Sequence, residues 1–212
     1  MGRGARESEY RLLKYDSYRR MPWRNGRGLT REIAREPATG EEFAWRLSLA
    51  EIEEACDFSP YPGYRRAIVL VSGKSLQLRF RGHGSCSLGP GRRGARFEGA
   101  WKTRCDVPLG ACTDLSLIVR DASIARSACI LRAPLLLRVG SSRRVALARG
   151  LYGAFFALDG SVAVSESMGA RPRSLRAGDT LLLSSRAPRT LTVRSLGQHP
   201  AQLVLLRWRP AV

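Results

Sequence analysis

Short apolar segments that alternate with polar residues, or run for four to six positions between Gly, Pro, Asp and Ser, recur along the whole chain. A period of two belongs to β-strands, whose successive side chains face opposite ways, whereas a helix needs apolar residues three and four apart. The pattern predicts strands near 10–14, 28–35, 43–50, 66–71, 75–81, 114–120, 135–139, 144–148, 151–158, 161–166, 180–184, 189–195 and 201–209. One short helical turn is expected over Ala50–Ala55, where Glu51, Glu53 and Glu54 crowd together. The fold class is therefore all-β.

Two stretches share a plan. Arg66-Ala-Ile-Val-Leu-Val-Ser-Gly73-Lys-Ser-Leu-Gln-Leu-Arg-Phe80 reads strand, glycine turn, strand, and Ala154-Phe-Phe-Ala-Leu-Asp159-Gly160-Ser-Val-Ala-Val-Ser165 repeats it with an Asp-Gly pair suited to a tight hairpin. The second copy runs on into Leu175-Arg-Ala-Gly178-Asp179-Thr-Leu-Leu-Leu183. Two similar β-lobes are expected, 1–125 and 126–212, parted where Leu131–Pro134 breaks one strand series and starts the next. A chain of 212 residues is long enough for such cores.

Charge invites a second reading. The net charge is +18, and all but three of the 36 basic residues (Lys14, Lys74 and Lys102) are arginine. Phosphate neutralisation makes such a balance suggestive of nucleic acid. The distribution argues otherwise, with 21 basic and 13 acidic side chains in residues 1–106 and 15 and 5 in 107–212, so neither half is a basic tail. No basic run is interleaved with aromatics as a stacking platform requires. A uniform excess of Arg over Lys is what a G+C-rich coding sequence imposes, and no specific nucleic-acid partner is expected.

Several chemistries are excluded by their missing residues. Cys56, Cys86, Cys105, Cys112 and Cys129 are odd in number and contain no C-x-x-C pair, so neither a disulfide framework nor a zinc knuckle is indicated. With only His83 and His199, a metal centre and a Ser-His-Asp or Cys-His nucleophile are disfavoured, and no metal or cofactor is expected. Gly73-Lys74-Ser75 lacks the glycine five residues earlier that a phosphate-binding loop needs, since Ile68 stands there. Gly82-His83-Gly84-Ser85-Cys86-Ser87 puts Ser87 where a dinucleotide fingerprint needs glycine. The first twenty residues have no apolar stretch beyond Leu12-Leu13, and no later segment nears membrane-span length. A cytoplasmic location without membrane attachment is expected.

The most specific segments lie in the first half. Met21-Pro22-Trp23-Arg24-Asn25-Gly26-Arg27-Gly28-Leu29-Thr30-Arg31-Glu32-Ile33 is followed by Trp45-Arg46-Leu47-Ser48-Leu49-Ala50 and by Phe58-Ser59-Pro60-Tyr61-Pro62-Gly63-Tyr64-Arg65-Arg66, with Phe97-Glu98-Gly99 and Asp114-Leu115-Ser116 further on. These segments resemble the HutD/Ves family of small bacterial proteins. The resemblance implies a two-lobed, cupin-like (bicupin, jelly-roll type) barrel without the cupin metal ligands. It also implies a regulatory or sensing role in histidine utilisation or stress response, with no established enzymatic activity. Three positions depart from the family pattern: Arg27 replaces a glycine of the N-G-G-G turn, Arg65 an aspartate and Ser116 an asparagine.

Strand parity adds a physical argument. Arg46 and Ser48 share one face while Trp45, Leu47 and Leu49 take the other, and the same parity joins Thr30 to Glu32 and Asp114 to Ser116 and Arg120. If these polar faces turn into one barrel, Arg46 and Arg66 become anion-binding residues, with Glu32 or Asp114 orienting them. Thr30, Ser48 and Asn25 would add neutral hydrogen bonds, and Trp23, Ser59 and Ser116 complete the expected ligand-binding set. The leading function is then a metal-free protein that binds a small carboxylate metabolite, for instance a formylated or carboxylated glutamate derivative. A metal-independent isomerase or lyase with Glu32 or Asp114 as general base is the alternative, and a nucleic-acid-associated basic protein a further one. A homodimer is compatible with the sequence.

Overall fold

The computed structural model describes residues 10–23, 28–120, 130–131, 135–166 and 171–209. The strands are β1 (Tyr10–Leu13), β2 (Arg19–Pro22), β3 (Gly28–Glu36), β4 (Trp45–Ile52), β5 (Cys56–Phe58), β6 (Tyr64–Ser72) and β7 (Leu76–Phe80). They continue as β8 (Gly84–Leu88), β9 (Gly94–Glu98), β10 (Thr103–Asp106), β11 (Cys112–Arg120), β12 (Ile130–Leu131), β13 (Leu135–Leu137) and β14 (Ser142–Leu147). The last are β15 (Tyr152–Asp159), β16 (Ser161–Ser165), β17 (Arg173–Arg176), β18 (Thr180–Ser184), β19 (Arg189–Ser195) and β20 (Ala201–Trp208).

Among the described residues the one helical element is the 3-10 turn Tyr15–Ser17. Among them no helix is long and apolar enough to cross a membrane. The helical turn expected over Ala50–Ala55 is absent. β4 runs through to Ile52, which is fully buried opposite Cys112, and the sheet register overrides a nucleus too short to form a helix on its own.

The chain divides into two compact units, Asp16–Ala133 with Pro210–Val212, and Met1–Tyr15 with Pro134–Arg209. Residues 10–15 thus belong with the later unit, because β1 pairs with β18. Each unit is a jelly roll of two sheets. In the first lobe the order β2-β3-β4-β11-β6-β9 faces the order β5-β10-β7-β8. In the second lobe β1-β18-β15-β20, with β13 also on β20, is matched with β14-β19-β16-β17. The cupin-like fold is thus built twice, each time as two open sheets rather than one closed barrel.

The paired glycine turns serve a different purpose from the one their sequence suggests. β6 and β7 lie in different sheets, as do β15 and β16, so the turns at Gly73 and Gly160 are corners between sheets and not tight hairpins. Both glycines have positive φ, +90° and +70°. A Cβ on Gly73 would stand 2.5 Å from the Cβ of Cys112, and one on Gly160 would stand 3.0 Å from that of Ala201. Cys112 and Ala201 each begin the central strand of their lobe, so the corner fixes where that strand starts.

The first core gathers Ile52, Ile68, Leu70, Leu76, Leu78, Phe97 and Cys105, and the second Phe155, Ala157, Val162, Leu181, Leu203 and Leu205. Residues of opposite parity on β4 and β11, such as Leu47, Leu49, Leu115 and Leu117, are buried too, so these strands are covered on both faces.

Candidate functional site

In the first lobe the register lines up three rows on the core-facing side of the central strands. Arg46 and Arg66 both oppose Ile118, Ser48 and Ile68 both oppose Ser116, and Ala50 and Leu70 both oppose Asp114. β3 brings Thr30 opposite Ala50. These rows border a cavity of about 690 Å³, the size of an ordinary small-molecule site. Of the residues expected from the sequence, Trp23, Thr30, Arg46, Ser48, Ser59, Arg66 and Ser116 line it.

The two guanidinium groups lie among aromatic rings. Arg66 Cζ is 4.7 Å from the ring centre of Phe58 and 5.2 Å from that of Phe97, and its Nη1 donates to the Ser59 carbonyl at 3.4 Å. Arg46 Cζ is 5.3 Å from the rings of both Phe43 and Tyr61, and its Nη2 donates to Tyr61 Oη at 3.0 Å. Such stacking holds a flat cation in place while leaving its edge free to meet an anion. The Nε of each arginine is buried without a hydrogen-bond partner. Burial holds the Arg66 guanidinium below its usual pKa, against the opposing pull of Asp114.

Local sequence sets these positions. Gly28 opens β3, and a Cβ there would run into the Glu51 carbonyl and stand 2.9 Å from the Trp23 ring, so only glycine lets Trp23 close down. Trp23 Nε1 then donates to Thr30 Oγ1 at 2.8 Å. Gly99 clasps the Ser59–Gly63 turn, donating to the Tyr64 carbonyl and accepting from Tyr61 N, each at 2.7 Å, which aims Tyr61 at Arg46.

Next to the arginines the polar groups are unsatisfied. Ser116 Oγ and both carboxylate oxygens of Asp114 are buried without hydrogen-bond partners. Asp114 is fully buried rather than part of the cavity lining. Burial pushes its carboxyl up to about 7, with Arg66 acting in the other direction. Unpaired buried polar groups are costly. The second lobe shows that the fold does not need them. Counting from the matching corners Gly73 and Gly160, Asp114 corresponds to Leu203, Ser116 to Leu205 and Arg66 to Gly153, and both leucines are buried in an apolar core.

Besides Asp114, one described member of the expected set stands outside the lining. Glu32 does not line the cavity, because Arg19 lies opposite it across β2 and β3 and binds its Oε1 at 3.0 Å. Asn25 and the departing Arg27 lie outside the described residues. Arg120, which shares the parity of Ser116, turns to Glu42 and Tyr64 instead, at 2.8 Å and 3.0 Å. Arg65 pairs with Glu98 at 3.1 Å. Sequence reasoning missed Met21, Pro22, Ala50, Asp57, Phe58 and Tyr61 in the lining. Phe58 and Tyr61 flank Ser59 in a motif already singled out, and their aromatic character beside an arginine was the available signal.

The histidines are elsewhere: the His83 ring stacks on Trp101 at 4.3 Å. Among the described residues no three His, Cys, Asp or Glu side chains converge to hold a metal ion.

Comparisons with known proteins place these features. A family model described as HutD matches residues 15–201. An uncharacterised 21.2 kDa protein of the hutC 3′ region of Pseudomonas putida is 41% identical over 112 residues, 52% of this chain and 58% of that protein. Protein Ves of Citrobacter koseri is 42% identical over 69 residues, 31% of this chain and 36% of that protein, so both matches span less than two thirds of the relatives' length. The structure of HutD from Pseudomonas fluorescens SBW25, solved in a formate condition, superposes with a TM-score of 0.72 at 28% identity, covering 94% of this chain and 99% of that one.

Proposed function

The chain belongs to the HutD family, and from that premise we propose that it is a cytoplasmic, metal-free protein that binds a small carboxylate metabolite and serves sensing or regulation in histidine utilisation. The observation that carries this reading is the contrast between the lobes: where the second packs Leu203, Leu205 and Gly153, the first holds Ser116 and Arg66 in a cavity wall with Asp114 buried behind them. Polar groups that weaken a core its twin builds from leucine are retained for a ligand. The hutC-region relative supports the histidine-utilisation context.

A carboxylate bridging Arg46 and Arg66 would be bound through charge-assisted hydrogen bonds that a lysine ammonium reproduces poorly. Arg46→Lys and Arg66→Lys are expected to fold normally and to weaken binding by about 1.5–3 kcal/mol. Calorimetric titration with formate and N-formylglutamate checks this. No saturable binding, or binding unchanged in both variants, would overturn the reading. Asp114 also favours a second reading, acid–base catalysis by a carboxyl that titrates near neutrality. Turnover of a bound acid, lost in Asp114→Asn, would establish it.

A further inference from the structure

We infer that the pocket takes up a proton together with its anionic ligand, the acceptor being Asp114. This rests on the carboxylate-binding reading and concerns how the same site is regulated. The argument begins with placement. Asp114 is fully buried on the core-facing side of β11, both its oxygens lack partners, and it sits two residues from Ser116 in the cavity wall.

The charged and titratable groups that face it come from four strands. Arg66 of β6 supplies the cation, and Cys56 of β5, Cys105 of β10 and Cys112 of β11 supply thiols. Tyr61 and Arg46 also face Arg66, Arg46 as a like charge that disfavours its ionised form. Burial raises the Cys112 thiol to about 12, and the hydrogen bond with Cys56 raises Cys105 further. Cys56 is lowered by that same bond.

Before an anion binds, Arg66 is, among the described residues, the cation that favours an ionised Asp114. An anion docked on Arg66 engages that charge and brings its own negative charge close to the carboxylate. Both effects make ionised Asp114 less favourable, so proton affinity rises on binding. Linkage then requires the converse: protonated Asp114 leaves Arg66 free for the ligand, and affinity rises as pH falls. Ser116 Oγ, also without a partner, stands two residues along the same face.

The test is calorimetric titration of the full chain with N-formylglutamate, whose carboxyls stay ionised throughout, from about pH 6 to about pH 9 in paired buffers of different ionisation enthalpy. Wild-type protein should take up a fraction of a proton near neutrality, and its affinity should fall above neutrality by at most about tenfold per pH unit, the limit for one proton. Asp114→Asn should bind with no uptake and a flat pH profile, and Cys56→Ala should keep the uptake, which assigns the proton. The wild-type proton count stands even if the Asn variant fails to fold. Saturable binding without uptake, or uptake that survives Asp114→Asn, overturns the inference alone. Absence of binding at every pH refutes the carboxylate reading and the inference with it.

Discussion

Asp114 makes the folded protein sensitive to pH even without a ligand. Burial raises its carboxyl to about 7 in the folded state, against an ordinary value of about 3.9 when unfolded. The folded form therefore holds this proton more tightly. Its contribution is fully present below about pH 4 and is lost as pH rises through 7, a change on the order of 4 kcal/mol. Asp114→Asn cannot ionise, so relative to wild type it should be more stable at pH 8 than at pH 5, as read by urea denaturation at both values. An equal difference at the two pH values would show that Asp114 is ionised in the fold throughout. At this scale much of the site was legible. Alternation alone placed Arg46 with Ser48 and Asp114 with Ser116, because side-chain period two is a property of any strand. Glu32 obeyed the same parity and still fell outside the cavity, since its partner Arg19 lies on a strand the sequence did not disclose.

That omission is general among the elements. The thirteen expected strands all form, but β2, β5, β8, β9, β10, β12 and β17 were not foreseen. Each has two to five residues, such as Gly-Ala-Arg-Phe-Glu in β9, too short to show a period. The glycine turns were recognised and their meaning was not. A Gly with positive φ serves a hairpin or a sheet-crossing corner equally well, and which strands then pair is decided far along the chain. The corners yield a comparison between lobes. Gly73→Ala forces a left-handed alanine against Cys112 at 2.5 Å, and Gly160→Ala meets Ala201 at the milder 3.0 Å. The first should cost roughly 2–3 kcal/mol and the second roughly 1–2. Denaturant midpoints at constant slope would check this, and two losses below about 0.5 kcal/mol would mean that the corners relax freely.

For the whole molecule, the +18 charge and the pocket should respond differently to salt. In the first lobe Arg79 and Arg104 are answered by Asp106 and Asp57 at 2.8–3.9 Å. On the matching sheet of the second lobe exposed Arg144, Arg176 and Arg194 stand opposite Thr192, Ser161 and Ser142. Such solvated arginines attract any polyanion by releasing its counterions, without regard to sequence. Retention on duplex DNA is therefore expected at about 0.05 M salt and should be gone by about 0.2 M, with no preference among sequences. Arg46 and Arg66 are held among rings with buried Nε atoms, where mobile ions screen poorly, so carboxylate affinity should change by less than about tenfold over the same range. The two salt profiles, measured on one preparation, separate general charge from a built site. Sequence-selective DNA binding that persists at about 0.2 M would show that the arginine excess forms a recognition surface. Carboxylate binding that collapses in parallel with DNA retention would show that the ligand sits on the surface rather than between Arg46 and Arg66.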